Sequence, residues 1–334
     1  MRLLRLAVAM SLSLGLAAPA AAPRGTLIVL NKSDHEAVLV DPVTLEILVR
    51  LPTGRGPHEV ATSPDGTRAY VSNYGSFAMF RQGEQVRNEP GKTLTVLDLG
   101  SRKVARTIDL EEYRQPHGIR LSRDGSRLWV TCEGNQAVLE IDPAEGKILK
   151  VWRTGQETSH MIVASRDERK LYVANIRSGS VTVINRVTDD VKSLPTGAGA
   201  EGIDISPDGK EVWVANREAD TIWVIETKSD RVSVSFESGG KMPIRVKFTP
   251  DGTQAWVATA RSNAVTVFDA AKRSKVATIP VGPMPVGIEI SPVARHAFVA
   301  NTTDNKVTVI EVKARKAIRS FTTGNEPDGM AWAP

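Results

Sequence analysis

From Leu27 to Trp332 the chain alternates short apolar runs with polar loops, and one unit recurs throughout. Residues Leu171 to Arg186, LYVANIRSGSVTVINR, show it most plainly: a strand-like YVAN, an Arg/Ser/Gly loop, then the alternating strand VTVIN. Apolar residues on every second position, rich in Val, Ile and aromatics and bounded by turn residues, predict β-strands and not helices. Aligned on the last residue of the first run, the copies end at Asn31, Asn73, Cys132, Asn175, Asn216, Thr259 and Asn301, each with Val two positions earlier. The steps between them are 42, 59, 43, 41, 43 and 42 residues. A fixed period near 42 holding four short strands predicts an all-β, seven-bladed propeller.

Full blades are expected to open at Pro57, Pro116, Ser159, Ala200, Pro243 and Pro285. In each, a first strand runs into the turns PDGT, RDGS, RDER, PDGK, PDGT and PVAR in order; Pro presets φ, Asp caps the turn and Gly supplies positive φ. The last copy lacks Asp and Gly, which predicts a looser turn. Residues 26–54 read as three strands only, and residues 326–334 as the opening of a repeat that stops. Pairing the two completes the seventh blade and closes the ring, so that residues 25–334 form one domain. The long step of 59 places an insertion at residues 75–92, between the second and third strands of the first blade, containing FAMF. An insertion of this kind marks one face and offers a docking surface for a protein partner.

The first twenty residues change the setting. Arg2 and Arg5 precede an apolar stretch from Leu6 to Leu16 and an Ala18-Pro19-Ala20 end, the pattern of a cleaved secretory signal peptide over residues 1–20. A periplasmic or secreted protein is expected, with no membrane span in the mature chain. The formal net charge of +5 falls to about +3 once Arg2 and Arg5 are removed, and the basic residues are scattered, so nucleic acid is not the expected partner. Cys132 is the only cysteine, so no internal disulfide forms and an exported free thiol must be shielded or used. Ring closure makes a monomer the expected state.

The strands YVSN, YVAN and WVAN, followed by TLTVLD, SVTVIN or TIWVIE, resemble the YVTN-repeat family of seven-bladed β-propellers, including the YncE-type proteins. The resemblance covers nearly all of the mature chain and implies the fold. It leaves function open, because the same scaffold carries binding proteins, lactonases, a lyase and subunits of redox enzymes.

The repeat phase also aligns chemistry. The residue after each blade's opening position reads His58, His117, His160, Glu201, Ile244, Val286 and Asp328, so three of the five histidines share one position in consecutive blades. A hairpin centred on the Asp-Gly turn sets His58 opposite Asn73, His117 opposite Cys132, and His160 opposite Asn175, which would bring the thiol into the histidine cluster. The next position adds Glu59 and Arg245 among glycines that leave room at the mouth. Imidazoles with a thiolate suit zinc or copper. The expected site is therefore a funnel on the top face binding a small ligand or metal ion. His58, His117, His160, Glu201, Arg245, Asp328, Asn73 and Asn175 are its ligand-binding candidates, and His58, His117, His160 and Cys132 its metal ligands.

Other readings remain open. Each histidine can simply bond the backbone, and Arg245 can pair with Glu201 or Glu59. The family's lactonases imply a metal-independent hydrolase with Glu201, Arg245 and His117 or His160 as candidate catalytic residues. A periplasmic interaction scaffold using residues 75–92 is the third. Arg177, Arg217 and Arg261 add a modest basic sector to the top face, while Trp213, Trp223 and Trp256 read as core.

Overall fold

The structure is a computed structural model that describes residues 25–75 and 89–334. The leader at 1–20 and the FAMF segment of the insertion lie outside the described residues. Seven four-stranded antiparallel sheets surround a central channel, as the period requires. Blade 1 holds Pro57–Thr62, Arg68–Gly75, Pro90–Asp98 and Lys103–Asp109; blades 2 to 6 open with Pro116–Leu121, Ser159–Ala164, Ala200–Ile205, Pro243–Phe248 and Pro285–Ile290. In blade 7, Pro327–Ala333 pairs with Thr26–Asn31, which continues through Glu36–Val40 to Ile47–Pro52. The ring thus closes without an exposed inner edge, as the sequence implies. Described residues contain no α-helix, and no helix long and apolar enough to cross a membrane.

Burial follows position in the blade. Second strands such as Leu128–Cys132 and Lys170–Asn175 are buried almost end to end, while outer strands such as Lys103–Asp109 are mostly exposed. A strand covered on both faces reads as a continuous apolar run, whereas an edge strand alternates. Trp213 and Trp256 are fully buried core residues as expected, joined by Trp129; Trp223 is only half-buried. The PVAR turn is as tight as the others. The Ala294 amide donates to the Ser291 carbonyl at 2.7 Å, with Ala294 at φ 50° where the PDG turns place glycine.

One irregularity repeats in every blade and decides where the funnel residues point. Pro57 pairs with Asn73 but Val60 pairs with Val71; Ala200 pairs with Asn216 but Gly202 with Ala215. Strand one therefore carries one extra residue, a β-bulge, and in all seven blades it falls at or next to the funnel-ring position. The residue ahead of each opening position, from Gly56 and Gln115 round to Glu326, has φ between 52° and 78°. A left-handed residue followed by a bulge swings the next side chain out of the ladder and into the channel.

Candidate functional site

Because of the bulge, the ring residues do not face the residues expected opposite them. It is Pro57, Pro116 and Ser159 that pair with Asn73, Cys132 and Asn175. His58, His117 and His160 are released toward one another instead. The rings of His58 and His117 meet edge to face at 4.2 Å, and those of His117 and His160 stack at 3.5 Å. They line a top cavity of about 230 Å³ with Glu59, Glu201, Arg245, Asp328, Lys32 and Tyr74.

Three expected ligands are corrected by this one-residue slip. Cys132 is fully buried in an apolar cluster with Leu110, Tyr113 and Leu139, and burial pushes its thiol well above the ordinary range. It takes no part in the histidine cluster. Asn73 and Asn175 are tied inside their own blades and do not line the funnel. Asn73 donates to Thr93 and Thr95 at 3.0 Å; Asn175 donates to Thr182 at 3.0 Å and accepts from Ser159 at 3.0 Å.

The side chains that do meet the ring come one residue later, at Lys32, Tyr74, Glu133 and Arg217. Glu133 takes the place expected of Cys132: its carboxylate is hydrogen-bonded to His160 Nδ1 and accepts from the Tyr74 hydroxyl at 2.6 Å. Gln115 in turn donates to the Tyr74 oxygen at 3.2 Å. On the far side of His160, Nε2 lies 3.7 Å from Glu201, which accepts from Arg217 at 3.0 Å. Lys32 bridges to Asp328 at 2.9 Å, and Asp328 stands 3.2 Å from His58 Nδ1. The signal was present in the repeat, as the residue following each aligned Asn, Cys or Thr.

Two hydroxyls fix the histidine backbone. Ser72 of blade 1 donates to the His117 carbonyl at 2.7 Å, and Thr131 of blade 2 to the His160 carbonyl at 2.5 Å. The equivalent residues in blades 3 to 6 are alanines, Ala174, Ala215, Ala258 and Ala300. Glycines at the next ring position serve the same approach. A Cβ on Gly118 would sit 2.4 Å from the His160 carbonyl oxygen, so these glycines make room for the neighbouring blade and not for the mouth.

Arg245 and Glu59 close the floor. Arg245 donates to Glu59 at 2.5 Å, to the Val286 carbonyl at 3.1 Å and to the Met161 sulfur at 3.4 Å. Both partners of the pair are nearly buried, and the guanidinium is committed to a carboxylate. Of the two pairings open in the sequence, Glu59 is the one formed.

The electrostatics of the three imidazoles differ. His117 is 2% exposed, and neither ring nitrogen has a hydrogen-bond partner. Burial, with His160 and His58 beside it, holds its pKa well below the ordinary value, so it is a neutral ring with a free lone pair. Burial likewise lowers His58 to about 3, against the pull of Asp328. For His160 burial also opposes charging, but Glu133, Glu201 and Glu59 outweigh it and raise the pKa. Ligand atoms of His117, Glu133 and His160 all lie within 4.8 Å of one another.

Comparison with known proteins agrees with the fold. Residues 122–251 match the family model described as YNCE-like beta-propeller, and with the seven blades this bears out the resemblance to YncE-type propellers. No curated protein matches the sequence. Among solved structures, the chain is similar to the Kuenenia stuttgartiensis protein named hydrazine synthase, at 20% identity and TM-score 0.74, covering 90% of this chain and 99% of that one. It is similar to a candidate 6-phosphogluconolactonase from Bacteroides fragilis at 12% identity and TM-score 0.74, covering 95% and 100%. The dihydro-heme d1 dehydrogenase NirN, solved in complex with DHE, aligns at 16% identity and TM-score 0.64, covering 93% and 76%. At such identities the likeness extends to the fold alone, and the activities differ among the three.

Proposed function

We propose that this protein is an exported binding propeller that holds a divalent transition-metal ion, zinc or copper, in its top funnel through His117, His160 and Glu133. One observation carries the reading: His117 is buried and neutral, yet both ring nitrogens lack a partner, within reach of a second imidazole and a carboxylate. Buried polar atoms without partners are uncommon and call for a missing ion or water. Two imidazoles and one carboxylate form a three-ligand zinc set that leaves a fourth position open. Tyr74 holds Glu133 from behind, as outer partners orient metal ligands. His160 must lose its proton to coordinate, so affinity rises with pH. Export rests on the Arg2/Arg5 leader.

The cavity size bears on the alternatives. About 230 Å³ lies below the roughly 300–1,000 Å³ of sites for drug-sized ligands and suits an ion with one small co-ligand. The lactonase alternative draws on the His160–Glu201 contact, but it needs a guanidinium free to meet substrate, and Arg245 is bound to Glu59.

The test is titration calorimetry with Zn²⁺ and Cu²⁺ on chelator-treated protein, alongside elemental analysis. One ion per chain is expected, with affinity reduced about a hundredfold or more in His117→Ala and Glu133→Gln. Absence of stoichiometric binding by either ion, or unchanged affinity in both variants, overturns the reading. Lactone hydrolysis by metal-free protein, lost in Glu201→Gln, would favour the hydrolase.

A further inference from the structure

The channel does not end at the funnel. Below the Glu59–Arg245 floor it opens into a second chamber of about 470 Å³ toward the opposite face, within the range of small-molecule sites. Its walls set aliphatic side chains, Val60, Ile119, Ile162, Ile203, Val246 and Ile288 among them, beside polar and charged ones. One inward-facing layer carries four charges: Arg120, Asp204, Lys247 and Glu289. Three of these are already engaged. Lys247 donates to Glu289 at 2.8 Å, and the two carboxylate oxygens of Asp204 accept the Ile205 and Phe248 amides, each at 2.9 Å. Arg120 is exposed and, among the described residues, forms no hydrogen bond or ion pair through its side chain.

The turns at this mouth carry a second, independent sign. The residue before Asp in the hairpin turn is Pro64, Pro207 and Pro250 where the PDG pattern holds, but Arg123 and Arg166 in the adjoining blades 2 and 3. Proline at that place presets the turn, so replacing it twice, side by side, gives up a local advantage. A side cavity of about 140 Å³ joins the chamber through Arg120, Arg123 and Asp204 and adds Arg166 to its wall. Among the described residues none of the three guanidiniums is in an ion pair. The nearby Glu168 carboxylate accepts the Arg123 backbone amide at 2.7 Å.

We propose that this chamber binds a small organic anion with an apolar body, its carboxylate or phosphate held by Arg120 and Arg123 and its body against the chamber wall. A planar guanidinium takes either oxyanion in a two-pronged bond. A bare inorganic ion would leave the aliphatic wall wet, and a neutral lipid would leave three cations unanswered. The chamber is separated from the funnel by the Glu59–Arg245 pair, so the two sites are independent.

Titration calorimetry with octanoate, octyl phosphate and octanol tests this. One equivalent of an anion is expected to bind, with octanol at least about tenfold weaker. Arg120→Gln is expected to weaken anion binding by about tenfold or more, while Arg102→Gln, on an outer turn of blade 1, leaves it unchanged. Arg120 has no partner to lose, so its variant keeps the wild-type thermal transition. Binding must also persist in His117→Ala, which separates this chamber from the metal centre. The tighter headgroup identifies the oxyanion. Equal binding of octanol, no saturable binding, or an unaltered Arg120→Gln affinity overturns the proposal.

Discussion

Removing either half of the Glu59–Arg245 pair should have unequal consequences, because only one half can shed its charge. In Glu59→Met the guanidinium keeps the Val286 carbonyl and the Met161 sulfur but loses its counter-charge in a nearly buried place. An uncompensated buried charge costs about 3–5 kcal/mol, and a guanidinium does not deprotonate, so acidification from pH 7 to pH 5 does not relieve this loss. In Arg245→Met the stranded carboxyl can take up a proton. Burial already pushes Glu59 above its ordinary 4.5, against the pull of Arg245. Protonating a carboxyl of ordinary pKa costs about 3.4 kcal/mol at pH 7 and about 0.7 kcal/mol at pH 5, at 1.36 kcal/mol per pH unit. A folded pKa raised above the unfolded one gives stability that is present at low pH and lost as pH rises. Arg245→Met should therefore recover up to about 2–3 kcal/mol of its own stability between pH 7 and pH 5, more than wild type does, and Glu59→Met, which lacks the titrating carboxyl, should recover none. The double variant should cost less than the sum of the singles by at least about 2 kcal/mol. Urea unfolding of all four proteins at both pH values provides the measurement. Additivity within about 0.5 kcal/mol, or identical pH dependence in the two singles, would refute the reasoning.

Four further outcomes follow from the same geometry. His58 has a folded pKa of about 3 against an ordinary 6.5, so its contribution falls away as pH drops below about 6.5; in chelator-treated protein, His58→Gln should lose about 3 kcal/mol less than wild type between pH 7 and pH 4 in urea unfolding. Cys132 should react with a thiol reagent such as dithionitrobenzoate only as fast as the protein unfolds, since a buried, undissociated thiol is inert; rapid labelling of native protein would contradict its placement. Asn175→Ala should lower stability by about 2–3 kcal/mol, by stripping the partners of Ser159 and Thr182, while zinc affinity stays within about twofold. Gly118→Ala drives a Cβ against the His160 carbonyl and should cut zinc affinity with little change in far-UV circular dichroism; undiminished affinity would show that blade 3 is not held at that contact.

The architecture was legible because the period is written in every copy, and so was the closure of blade 7, from two incomplete repeats that fit each other. The histidine ring was legible for the same reason: His58, His117 and His160 share one phase. Their partners were not, because counting outward from the Asp-Gly turn assumes an unbroken ladder. That count holds from the turn as far as Val60 and Val71 and slips by one at the bulge. The slip exchanges Asn73, Cys132 and Asn175 for Tyr74, Glu133 and Ile176, turning a proposed thiolate site into a carboxylate one. No local feature announces the bulge, since the residue whose φ is positive is Gly56 in one blade and Gln115, Thr158 or Met242 in others. The role of Ser72 and Thr131 was equally hidden, because it depends on which residue the adjacent blade presents.

The ladder between Thr26–Asn31 and Pro327–Ala333 joins segments separated by nearly the whole chain, whereas each of the other six sheets is assembled from sequence neighbours. Local hairpins form quickly, and contacts that must first close a very long loop come late. Six sheets can therefore gather as an open arc, with the seventh acting as the clasp. The amides of those two segments should exchange with solvent as a single unit and earlier than the buried second strands, making the clasp the place where the circle first comes apart.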